Sequence, residues 1–171
     1  MHTTRVDGDR ALARGLVSGL IGGLAAAFVM SQFQAGLSKL SESEGSSEQQ
    51  ASSGGDDATV KVASAISQSI GHDLTKDEKA TAGPAVHYAF GATMGAVYGL
   101  LSEVAPVTAV GWGMPFGTAL WLAADEVAVP AFGFSKSPTE YPASTHASAL
   151  ASHLVYGLSV DVVRRALRTA I

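Results

Sequence analysis

The sequence predicts an all-α fold, a transmembrane helical bundle of about four spans. Three observations carry that expectation. Only 15% of the 171 residues are charged and 47% are apolar, whereas an average soluble domain is about one quarter charged. Charges are absent from residues 15–38, 80–102, 104–124 and 141–160, runs of 24, 23, 21 and 20 residues. A helix needs about 20 mostly apolar residues to cross hydrocarbon, while a soluble helix shows a charged face every turn or two. Finally, the 19 glycines suit helices that pack closely in lipid.

Chain punctuation places the spans at about 12–33, 84–104, 110–129 and 144–163, within a single membrane domain covering 1–171. The second opens near Pro84, whose missing N–H suits a first helical position, and closes before Pro106. The third stops at Pro130. The first has the basic start and apolar core of a signal peptide. Its uncharged run is long, however, and no clear small-residue cleavage site follows, so it reads as a retained span.

Residues 38–83 form an outer loop of two characters. The tract SESEGSSEQQASSGGDD is acidic, of low complexity and unable to bury a core. After it, Val62, Ala63, Ile66 and Ile70 follow helical spacing and Asp57 stands where an N-cap belongs. Residues 58–70 therefore read as a short amphipathic helix on the membrane surface or on the bundle.

Small residues recur at four-residue steps. Span one carries Gly15, Gly19, Gly23, Ala27, Ser31 and Ala35, span two carries Gly91, Gly95 and Gly99, and span three carries Gly113 and Gly117. Such ridges let backbones approach closely. They fit contacts within one chain or a homo-oligomer.

Ionisable residues inside spans carry the functional information, because a polar group in hydrocarbon is costly unless paired. His87, His146, Asp125 and Glu126 fall near the outer boundary, and His153 lies seven residues past His146, about 10 Å deeper. Adjacent residues diverge by about 100° on an α-helix, so one of Asp125 and Glu126 is expected to face the interior. His87, His146, His153 and one acid make a candidate pH-responsive or polar track, since histidine changes charge between about pH 5 and 8. Glu103, Asp161, Arg164 and Arg165 fall at the inner boundary as an ion-pair set.

Several function classes drop out. A net charge of -4 offers no electrostatic case for nucleic acid. Cysteine is absent, which excludes thiolate chemistry. No HxxxH or HExxH metal spacing, phosphate loop, haem motif or Ser-His-Asp order is visible, so no metal, cofactor or enzymatic activity is expected. The expected partner is the lipid bilayer.

Residues 84–167 resemble the YagU-like family of bacterial inner-membrane proteins, which is defined by a domain of unknown function. The likeness rests on VHYAFGATMGAVYGLLSEVAP, with His87, Tyr98, Glu103 and Pro106, and on SHLVYGLSVDVVRRALR, with His153, Leu154, Asp161, Arg164 and Arg165. Pro130 and Gly133 are similar too, while Asp161 stands where the family has glutamate. The resemblance implies the inner membrane and a link to acid resistance in enteric bacteria. It leaves two functions, pH sensing in acid tolerance and a small transporter or ion pathway.

All six arginines, Arg5, Arg10, Arg14, Arg164, Arg165 and Arg168, flank the start of span one and the end of span four. The positive-inside rule then puts both termini in the cytoplasm. Reporter fusions at Gly54 and Ile171 are expected to report outside and cytoplasm respectively. Both on one side would contradict the four-span order.

Overall fold

The structure, a computed structural model, describes residues 3–43 and 57–170. The acidic tract anticipated as low-complexity lies almost wholly outside the described residues. Those described are helical, with no strand among them: α1 (Thr3–Ser43), α2 (Ala58–Ser69), α3 (Lys76–Val104), α4 (Met114–Trp121), a π-helix (Leu122–Ala128), α5 (Val129–Ala131) and α6 (Ala143–Ala170). The stretch from α4 to α5 is one continuous helical rod with a widened middle. Within α1, Gly8–Leu40 is long and apolar enough to cross a membrane, with mean hydropathy 1.7 in its most apolar window.

The helix limits differ from those expected for the spans. Helix α3 starts at Lys76 rather than at Pro84, which lies inside it. The start is fixed by a capping box. Glu78 N–H donates to Thr75 Oγ1 at 3.4 Å, and Thr75 N–H donates to Glu78 Oε2 at 2.8 Å. The Thr75 backbone N–H, then its hydroxyl, then His72 hold the Glu78 carboxyl below its ordinary value of 4.5. A depressed carboxylate stabilises above its unfolded-state value, and that contribution is lost as pH falls through the folded value. The cap is therefore complete at neutral pH and weakens on acidification.

Helix α4 begins at Met114, not at Val110, because Gly111, Trp112 and Gly113 have φ of 77°, 57° and 74°. Three successive left-handed residues cannot continue a right-handed helix. Pro130 does not stop the rod either. It sits in the last turn, which runs on to Ala131. Asp57 occupies the N-cap of α2 but makes no side-chain cap bond. Ala63 and Ser67 are the buried positions of α2, whereas Ile66 and Ile70 point outward at 59% and 80% exposure.

The helices meet backbone to backbone. Antiparallel α1 and α3 pair Gly15 with Gly99, Gly19 with Gly95 and Gly23 with Gly91. A methyl added at Gly19 would sit 2.9 Å from Gly99 Cα, and one at Gly23 2.9 Å from Gly95 Cα. An adjacent face of α1 meets α6, where a methyl at Gly22 would lie 3.0 Å from Val160 O. Helices α4 and α6 repeat the device through Gly113 against Gly157 and Gly117 against His153 O. Tyr98 of α3 packs on Phe116 of α4 with ring centroids 4.8 Å apart. The glycine ridges thus meet one another within a single chain.

The interior is small and polar, and the exterior is large and apolar. Ala26, Ala27, Tyr98, Tyr156 and Val160 are buried together with Ser18, Ser152, His153, Asp161 and Arg164. Leu16, Leu20, Leu24, Phe28, Val97 and Val162 are all exposed.

Gly95→Ala is expected to lower stability in detergent by about 1–3 kcal/mol through overpacking. Gly36 has open space around it, so Gly36→Ala is expected to be neutral or slightly stabilising, as alanine is the better helix former. Equal thermal shifts for the two variants would contradict the backbone contact.

Candidate functional site

The polar residues collect at the two ends of the bundle. At the end where α3 and α6 begin, His87, Asp125, Glu126, His146 and His153 all line one cavity of about 570 Å³. The shared cavity follows from topology. Helices α3 and α6 bring in His87, His146 and His153 as they descend, and the rod from α4 to α5 delivers the acids as it rises.

Both acids reach the cavity, although an α-helix would have turned one away. The two acids sit within the π-helix over Leu122–Ala128. Its i→i+5 ladder widens the turn, brings neighbouring side chains closer in direction, and recurs at functional sites. Each acid then meets its own histidine. His146 Nδ1 lies 2.6 Å from Glu126 Oε1, and its Nε2 lies 3.0 Å from the Pro138 carbonyl. His153 Nδ1–H donates to Ala149 O at 3.0 Å, with Asp125 Oδ2 at 3.6 Å. That longer separation is an ion pair when the ring is charged, not a hydrogen bond. The His153 side chain is 8% exposed and Asp125 39%, so the acid is the wetter member of the pair.

His87 lines the same cavity without pairing to an acid. Its Nε2 sits 3.2 Å from both Ala27 O and Ser31 Oγ on α1. It extends the α1–α3 register by one further step. Tyr156, one turn below His153, donates from its hydroxyl to Gly91 O at 2.6 Å, closing the cavity floor. Reasoning from charge alone missed Tyr156. Its place between His153 and Gly157 on a polar row was the available signal.

At the other end the expected ion-pair set is present and larger. Asp161 is fully buried and accepts from Arg164 Nη2 at 3.2 Å and Arg165 Nε at 2.7 Å. Glu103 accepts from Arg168 Nη2 at 2.7 Å and lies 3.6 Å from Arg164 Nη1. Arg165 also caps the left-handed turn, donating to Ala109 O at 2.8 Å and stacking 4.9 Å over the Trp112 ring. A non-glycine residue in that conformation costs roughly 1–2 kcal/mol, which these contacts offset. Among the described residues, no group of three or more His, Asp or Glu side chains has the geometry to hold a metal ion.

Residues 64–162 match the family described as a protein of unknown function (DUF1440), and the chain belongs to that family. No curated protein and no solved structure matches the chain. The matched stretch holds both histidine–acid pairs, Glu103 and Asp161. It leaves out the glycine ridge of α1 and all the arginines.

Breaking a buried ion pair by removing one partner costs about 3–5 kcal/mol. Asp161→Asn is expected to destabilise by that order in thermal unfolding. Arg165→Gln should cost clearly less, since its side chain is 45% exposed against 0% for Asp161. Equal losses would show that the cluster acts as a solvated surface pair.

Proposed function

We propose that this chain is a four-span protein of the bacterial inner membrane, with both termini cytoplasmic, and that its histidine–carboxylate cavity responds to protons. The membrane part is supported by the inverted arrangement of residues. Large apolar side chains such as Leu20, Phe28 and Leu158 face outward, while His153, Asp161 and Arg164 are buried. Hydrocarbon rewards that distribution and water penalises it. The likeness to YagU-like proteins adds acid tolerance as the physiological setting.

The proton-responsive part rests on one observation, the pairing of His146 with Glu126 and of His153 with Asp125 in one cavity. Both nitrogens of His146 face oxygen acceptors. A protonated ring donates to both, whereas a neutral ring donates to one and turns a lone pair toward the other. Protonation therefore ties α6 to the π-helix and to the turn at Pro138, and deprotonation releases one tie. Around these pairs stand His87 and Tyr156, with Asp57 at the start of α2 on the cavity wall.

A second reading, a small transporter or ion pathway, is favoured by the polar line along α6. Ser152, His153, Asp161 and Arg164 are buried. They run from the 570 Å³ cavity toward a cleft of about 630 Å³ lined by Glu103, Arg165 and Arg168. Proton flux in proteoliposomes separates the readings, for a sensor carries none.

Trp121 adjoins the π-helix, so tryptophan fluorescence from pH 4.5 to 7.5 reports the switch. His146→Gln and His153→Gln are each expected to leave the protein folded and to remove most of the pH-dependent change. If both follow the wild-type profile, the histidines are structural and the proton reading fails.

A further inference from the structure

The cavity has properties beyond those a proton needs. Three carboxylates line it, Asp57, Asp125 and Glu126, and no lysine or arginine does among the described residues. Its walls carry five aromatic rings, Phe90, Phe132, Phe134, Tyr141 and Tyr156. Its volume of about 570 Å³ falls in the range of small-molecule sites. A bare ion would fill little of that space.

We infer that the cavity binds a lipophilic organic cation, a compact apolar body with a delocalised positive charge. Charge complementarity selects the sign, because among the described residues the only formal charges on the wall besides protonatable histidine are negative. Aromatic faces attract a cation and repel an anion through the ring quadrupole. A weakly hydrated cation also costs less to desolvate than an ammonium of the lysine kind. Asp125 is 39% exposed and meets His153 only at 3.6 Å, so its carboxylate retains capacity for a ligand charge. Phe132 is 75% exposed and its ring centroid lies 6.3 Å from that of Phe134, which leaves one wall accessible from outside. The inference takes the membrane setting proposed above and uses the same cavity, but it does not depend on histidine titration.

The test compares tetraphenylphosphonium with tetraphenylborate, ions of nearly the same shape and opposite charge, by equilibrium dialysis against the full chain in neutral detergent at pH 7.5. Binding is corrected for empty micelles. Tetraphenylphosphonium is expected to bind at least about tenfold tighter than tetraphenylborate, a difference of about 1.4 kcal/mol. Asp125→Asn and Glu126→Gln are each expected to weaken it by about tenfold, and Asp125→Glu to retain it. Equal affinity for the two ions means apolar partition only and overturns the assignment. Because that comparison uses the wild-type chain, it stands even where a variant fails to fold. Cation binding unaffected by either acid variant overturns the assignment of the site. Selective binding that persists in His146→Gln and His153→Gln supports the cation site even if the pH response is absent. A pH response without selective binding removes the cation site and leaves the proton reading intact.

Discussion

Close approach of backbones at the glycine contacts is the constraint on which the rest of this structure depends. In the membrane setting proposed above, apolar side chains gain nothing by leaving lipid for protein, so helices associate through dispersion and weak polar contacts at short range. Glycine at Gly15, Gly19 and Gly23 facing Gly99, Gly95 and Gly91 permits that range. Register follows from it. Once Gly23 lies against Gly91, the next step sets Ala27 and Ser31 against His87, where the imidazole bonds the α1 backbone. Gly117 against His153 O does the same for α4 and α6, and so fixes how far the acids rise relative to the histidines.

The polar groups then divide by what they can do. The cluster of Asp161, Glu103 and three arginines is joined by four ion pairs and anchors the loop at Trp112 to α6. The two histidine–acid pairs differ in closeness. His146 spends both nitrogens on acceptors, whereas His153 spends Nδ1 on its own helix and leaves Asp125 at ion-pair distance. Arginine–carboxylate pairs, whose charge is fixed at neutral pH, thus gather at one end of the bundle and histidine–carboxylate pairs at the other.

Much of the fold was legible in residue spacing. Four-residue glycine steps gave the contact faces, and the apolar period of residues 58–70 gave α2, found at Ala58–Ser69. The start of α3 was legible but passed over, because Thr75 and Glu78 spell a capping box upstream of the more conspicuous Pro84. Two features left no readable trace. Trp112 in a left-handed conformation is set by its neighbours and by Arg165, not by its own propensity. The π-helix has no compositional mark, and both Asp125 and Glu126 line the cavity where an α-helical period expected one of them to face inward. Which histidine meets which acid is a tertiary fact and follows from register.

The absence of cysteine makes the central claim directly measurable. A methyl at Gly91 would lie 2.7 Å from Ala27 Cβ, so Ala27→Cys with Gly91→Cys needs about 1 Å of give to reach disulfide spacing. Oxidation of membranes holding tagged and untagged copies should give a disulfide within single chains, with no tagged–untagged dimer. Crosslinking only between chains, or none at all, would contradict the intrachain glycine contact from which the register and the cavity follow.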